Sequence, residues 1–128
     1  MERAIACMRN GVGQVDIEVD GHLLVAAEPG YSLEPGSAAP SPYGMLLASL
    51  GACTAFSLRQ CASRQRWPLE SLDIFLTLSH EACGPHVERM LLITGVDRDC
   101  QQALLEHAGR TPLTVLLGAC MRISTTLI

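Results

Sequence analysis

An α+β fold is predicted by three features of the 128-residue sequence. Strand-type alternation punctuated by turn residues occupies the N-terminal quarter, a long apolar helical run starts near Pro42, and further alternating segments flank an amphipathic run at 98–108. Strands and helices therefore come in blocks, βββ, α, ββ, α, a short α and β, rather than in strict βα alternation, which is the mark of the α+β class, and the strands are expected to form antiparallel sheet. One domain spanning 1–128 is expected from the length.

Each element has a local cause. Residues 2–8 and 12–19 alternate apolar and polar, with Val15, Ile17 and Val19 on one face, and Asp20-Gly21 is a two-residue hairpin turn before the strand opening at His22. Residues 28–42 are rich in proline and glycine and read as a long surface loop. Ser41-Pro42 places an N-cap ahead of proline at the first helical position, and a helix should run to about Arg66, ended by Trp67-Pro68. From Tyr43 to Leu58 this helix is apolar almost all round, so one small sheet cannot cover it and a second subunit would supply the missing layer. A membrane span needs about twenty such residues, and Arg59, Arg64 and Arg66 interrupt the run first; a buried core helix is the expectation. Leu72–Ser79 and Val87–Val96 read as strands joined at Gly84-Pro85. Arg98–Ala108 is an amphipathic helix closed by Gly109, Thr111-Pro112 opens a short helix, and Cys120–Leu127 is a last strand.

Composition narrows the function. A net charge of −4 and a pI near 5.4 argue against nucleic acid as a partner. All nine basic residues are arginine, which excludes Schiff-base chemistry. The N-terminus, acidic at once, lacks the layout of a signal peptide, so a cytoplasmic protein is expected. Its six cysteines would then be reduced, mostly small buried hydrophobes.

Among the cysteines, Cys53 lies mid-helix among apolar neighbours. It is either an inert buried thiol or a nucleophile; since a mid-helix position receives no help from the helix dipole, reactivity would need a nearby arginine. Cys61 stands eight residues on, about 12 Å along the axis and out of disulfide reach within one subunit. His80, Cys83 and His86 have a spacing that invites a metal reading, but without a second ligand pair a solvated turn with two surface histidines is favoured. Glu106, His107 and Arg110 read as a charged helix end complementing the dipole. No metal or cofactor is expected, and no P-loop or dinucleotide-type glycine pattern occurs.

Asp20-Gly21-His22 with Glu28-Pro29, the segment SPYGMLLASLGACTAFSLRQCASRQRWPLESLDI, and the C-terminal QQALLEHAGRTPLTVLLGACMRISTTLI resemble the OsmC-like family, relatives of the organic hydroperoxide resistance proteins, over essentially the whole chain. The resemblance implies an intertwined homodimer with long central helices and a site at the subunit interface. It also implies thiol-dependent reduction of hydroperoxides, in which a helix cysteine becomes a sulfenic acid, a second cysteine resolves it as a disulfide, and an arginine and a glutamate activate the thiolate. Cys53 matches the attacking cysteine, and Arg9 is the candidate activator by its place in the chain. The family's second cysteine falls on Thr111 and the histidine after it on Thr114, while the glutamate falls on Gly44. Thr111 cannot form a disulfide, though it preserves a helix start as an N-cap before Pro112. Gly44 lacks both the carboxylate and the return half of a capping box.

Two functions are compatible with these residues. In one, Cys53 reduces a small organic hydroperoxide and an external thiol, or a distant cysteine such as Cys120 or the partner's Cys61, resolves the sulfenate. In the other, a non-catalytic homodimer binds a small apolar ligand in the groove around Cys53.

Overall fold

The computed structural model describes residues 1–8, 13–28 and 39–128. Arg9 and most of the 28–42 segment lie outside the described residues. The chain forms two compact units, Met1–Leu46 and Leu47–Ile128.

In the first unit, β1 (Ala4–Met8), β2 (Gln14–Val19) and β3 (His22–Ala27) make an antiparallel meander in the order β1-β2-β3. Its register pairs Ala4 with Val19 and Val19 with His22. The turn is the one its residues dictate: Asp20 and Gly21 both have positive φ, 49° and 82°, as a type I′ hairpin turn requires. The Asp20 carboxylate also accepts from the Arg3 amide (3.1 Å), pinning the start of β1 to the turn.

Helix α1 (Pro42–Arg64) starts where Ser41-Pro42 predicts. Ser41 Oγ accepts from the Gly44 amide at 3.1 Å, satisfying an orphan donor of the first turn. A Cβ on Gly44 would make ordinary contacts, 3.4 Å to Ser41 Oγ and 3.7 Å to Pro40 Cβ, so a side chain fits there. Gly44→Glu is therefore expected to raise stability by about 0.5–1 kcal/mol, from helix propensity and a completed capping box. An unchanged or lowered urea midpoint would contradict that accounting.

In the second unit, β4 (Ser71–Glu81), β5 (Gly84–Thr94) and β6 (Arg122–Leu127) form a sheet in that order. The long β4–β5 hairpin is antiparallel, whereas β6 runs parallel to β5. Six strands of antiparallel character were expected; β6 departs because its connection from β5 passes through α2 (Arg98–Ala108) and α3 (Pro112–Gly118), the kind of crossover that returns a strand in the same direction. Asp97 caps α2 by accepting from the Cys100 amide at 2.9 Å. Gly95, with φ 95°, has Pro68 O and Glu70 N each 2.5 Å from where a Cβ would stand, so only glycine lets β5 leave the sheet here.

The core of this unit joins Leu58 and Ala62 of α1, Leu91 and Ile93 of β5, and Leu104 and Ala108 of α2, with Trp67, Leu72 and Ile74 packed around them. Along α1 the buried residues are Leu50, Thr54, Leu58 and Ala62, a single stripe at four-residue spacing. Phe56, on another face, is exposed. No described helix is long and apolar enough to cross a membrane.

Candidate functional site

Alternation along β5 turns Val87, Arg89, Leu91 and Ile93 to the same buried face. Arg89 is thus an arginine in an apolar file, only 1 % exposed. Burying a guanidinium is costly unless each of its five N–H groups finds an acceptor, and each does. Nε donates to Thr125 Oγ1 (3.1 Å), Nη1 to Thr54 Oγ1 (2.9 Å) and Thr114 Oγ1 (2.8 Å), and Nη2 to Ala108 O (2.9 Å) and Thr125 Oγ1 (3.0 Å).

The threonines are themselves oriented. Thr54 donates back to Leu50 O at 2.7 Å, leaving its lone pairs for Arg89. Thr111 donates to Ala108 O (3.2 Å) and lies 2.7 Å from Thr114 Oγ1. With the Thr111 proton on Ala108 O, Thr114 is the donor of the second bond, and a closed ring results: Arg89 to Thr114, Thr114 to Thr111, Thr111 to Ala108 O, which also accepts from Arg89. No buried side-chain nitrogen or oxygen among the described residues lacks a partner.

Thr111 departs from its expected part. It stands at the N-cap position of α3, but its side chain makes no capping bond. The Ala108 carbonyl and the Thr114 hydroxyl engage the Thr111 hydroxyl instead of the helix amides, so the N-cap residue type has been put to a different use.

Every acceptor around Arg89 is neutral. Its charge has no carboxylate partner among the described residues. Burial pushes the guanidinium below its ordinary value, a shift that a thiolate at Cys53 would oppose. Cys53 itself is half-buried on α1, next in sequence to Thr54, which is fully buried against Arg89. The structure therefore brings Thr114 onto the Arg89 guanidinium and Thr111 onto Thr114, with Cys53 beside Thr54 in sequence, whereas Gly44 belongs to the first unit.

Arg89 is the residue the sequence reading missed. The signal was present, because the alternation of Val87, Leu91 and Ile93 already put Arg89 on their face. The other cysteines are unpaired. Cys61 packs against the core cluster, and Cys120 is exposed, its Sγ donating to Leu117 O at 3.4 Å.

His86 is a correction. It is 8 % exposed rather than a surface histidine, because its ring ties three strands' ends together. Nδ1 donates to Glu81 Oε1 at 3.1 Å, and Nε2 pairs with Ser124 Oγ at 2.8 Å. Arg122 also bonds Glu81. The His86 hydrogen bond, aided by Arg122, holds the Glu81 carboxyl below its ordinary value of 4.5. A carboxylate with a depressed folded-state pKa contributes stability above its unfolded value and loses it as pH falls through the folded one. The urea midpoints of the wild type and Glu81→Gln should accordingly differ at neutral pH and converge below the ordinary carboxylate range. A constant gap would show that the pairing does not act through ionisation. Among the described residues no group of three metal-binding side chains occurs.

Residues 34–111 match the family model described as OsmC-like protein. Among solved structures, an OsmC-like protein from Mycoplasma pneumoniae is similar at 14% identity and TM-score 0.80, covering 100% of this chain and 97% of that one. The organic hydroperoxide resistance protein OhrB of Bacillus subtilis is similar at 17% identity and TM-score 0.76, with 100% and 98% covered. An organic hydroperoxide resistance protein OsmC from Legionella pneumophila is similar at 21% identity and TM-score 0.75, with 99% and 96% covered. These likenesses are of fold. No curated protein matches the chain.

Proposed function

Because the chain belongs to the OsmC-like protein family, we propose that it is a thiol-dependent hydroperoxide reductase working through Cys53 alone, without an internal disulfide cycle. The observation that carries this reading is Arg89: a buried cation whose bonded partners are all neutral and whose opposing charge, among the described residues, would be an ionised Cys53. The Cys53 thiolate attacks the outer peroxide oxygen, the O–O bond breaks, and the sulfur becomes a sulfenic acid while the departing alkoxide takes a proton and leaves as an alcohol. With threonine at 111, an external thiol condenses with the sulfenic acid, releasing water, and a second external thiol frees Cys53 as the reductant becomes a disulfide. The cell compartment proposed is the cytoplasm, where such thiols are supplied.

We also propose a homodimer. The exposed Phe56 of α1 and Val115 and Leu116 of α3 are apolar surface of the sort a second copy covers.

The test is consumption of cumene hydroperoxide with dithiothreitol as reductant. Turnover that stops after one equivalent per chain when the dithiol is left out supports the reading; no consumption overturns it. A second reading, a non-catalytic dimer holding a small apolar ligand near Cys53, is favoured by one observation: all five Arg89 donors are already committed to protein oxygens, leaving none for a substrate. Absent turnover with retained binding of an apolar fluorescent probe would select it.

A further inference from the structure

Two exposed cysteines meet at the end of the second sheet. Cys83 sits in the turn between β4 and β5, and Cys120 in the turn between α3 and β6. Because β5 and β6 are parallel and His86 is registered with Arg122, the segments leading into the two strands come to the same end of the sheet. Cys83, Gly84, Cys120, Met121 and Arg122 line one cavity of about 530 Å³ there.

From this geometry we infer that Cys83 and Cys120 form a second thiol site, a dithiol that undergoes exchange with low-molecular-weight disulfides and closes as a disulfide within one chain. It lies outside the Arg89 network and is independent of the reading given for Cys53.

Three features support exchange. Neither cysteine is in a strand, so closing to the roughly 4.4–6.8 Å Cα separation a disulfide needs asks movement of turn residues and breaks no strand pairing of either cysteine. Gly84, with φ 119°, fixes the turn beside Cys83, and neither it nor Gly118 has any atom within 4 Å of where a Cβ would stand, so there is space for an incoming disulfide. The thiols are held only by weak sulfur contacts, Cys83 Sγ to Glu81 Oε2 at 3.8 Å and Cys120 Sγ to Leu117 O at 3.4 Å.

The reaction balances without a cofactor. One thiolate attacks a sulfur of the small disulfide, whose S–S bond breaks to release a first thiolate and leave a mixed disulfide on the protein. The second cysteine, as thiolate, then attacks the protein sulfur of that bond and displaces a second small thiolate. Two cysteines are oxidised, one disulfide is reduced, and the two protein protons end on the released thiols.

The test uses the wild-type chain equilibrated in buffers of rising oxidised-to-reduced glutathione ratio, quenched with acid and iodoacetamide, and digested with trypsin. With arginine the sole basic side chain, Cys83 falls in peptide 67–89 and Cys120 in peptide 111–122, each the only cysteine of its peptide, while Cys53 falls elsewhere. The expected result is a cross-linked pair of these two peptides that comes to dominate as the ratio rises, vanishes with dithiothreitol, and is absent from Cys83→Ser and Cys120→Ser. In a mixture of light and nitrogen-15-labelled chains the pair should stay unmixed. Separate glutathione adducts without the cross-link, unreacted thiols, or mixed light–heavy pairs would each overturn the proposal, and none of these outcomes bears on Cys53.

Discussion

Arg89→Met should slow the reaction of Cys53 with hydroperoxide by about 100-fold, the scale of losing one preorganised charge or donor at a reacting centre. It should also destabilise the fold. Methionine roughly fills the space, and relief of an uncompensated buried charge works in the variant's favour. Against that stand five charge-assisted hydrogen bonds, each worth about 1.5–3 kcal/mol, and the acceptors of Thr54, Thr114, Thr125 and Ala108 left without their donor. The loss wins, and a net cost of about 3 kcal/mol by urea denaturation is expected. Arg89→Lys separates the two effects, since it keeps a charge but not the planar fork. Its reactivity should exceed that of Arg89→Met even where its stability does not. Equal rates in both variants would mean that Arg89 serves packing alone.

Cys53→Ser carries the opposite signature. Cys53 is half-buried and forms no bond in the Arg89 ring, so its loss should change stability by less than about 1 kcal/mol. Peroxide consumption with dithiothreitol should nevertheless fall by about 100-fold or more, because Cys61 is packed against the core and Thr111 offers no sulfur. A variant that consumes peroxide at the wild-type rate would move the chemistry to another cysteine. One that loses both activity and fold would leave Arg89→Met and Arg89→Lys as the discriminating pair.

Most of the fold was legible because its signals are local. Asp20-Gly21 fixes a turn, Ser41-Pro42 starts a helix, and Gly109 closes another, each through atoms within a few residues. The direction of β6 was not legible, since alternation in Arg122–Leu127 reports which side chains face inward and not which way the strand runs. The site was half legible. Cys53, Thr111 and Thr114 were named from the family pattern, but the pattern does not show Arg89, from a strand far away in sequence, which bonds Thr114 and, through it, is linked to Thr111. An arginine in an alternating strand is ordinarily assigned to solvent, and only the threonines on α1, α3 and β6, converging in space, make its burial tolerable. The same convergence explains why Thr111, a good capping residue by type, does not cap: its hydroxyl is claimed by Ala108 O and Thr114.

On the proposed function, Cys53 reacts with peroxide and nothing within the chain resolves the product. This is tested most directly by adding one equivalent of cumene hydroperoxide to the reduced protein without any thiol, trapping with dimedone, and mapping the adduct. A dimedone adduct on Cys53, persisting with no disulfide to that residue, is the predicted result. An unlabelled Cys53, or one recovered in a disulfide with another cysteine of the chain, would contradict it.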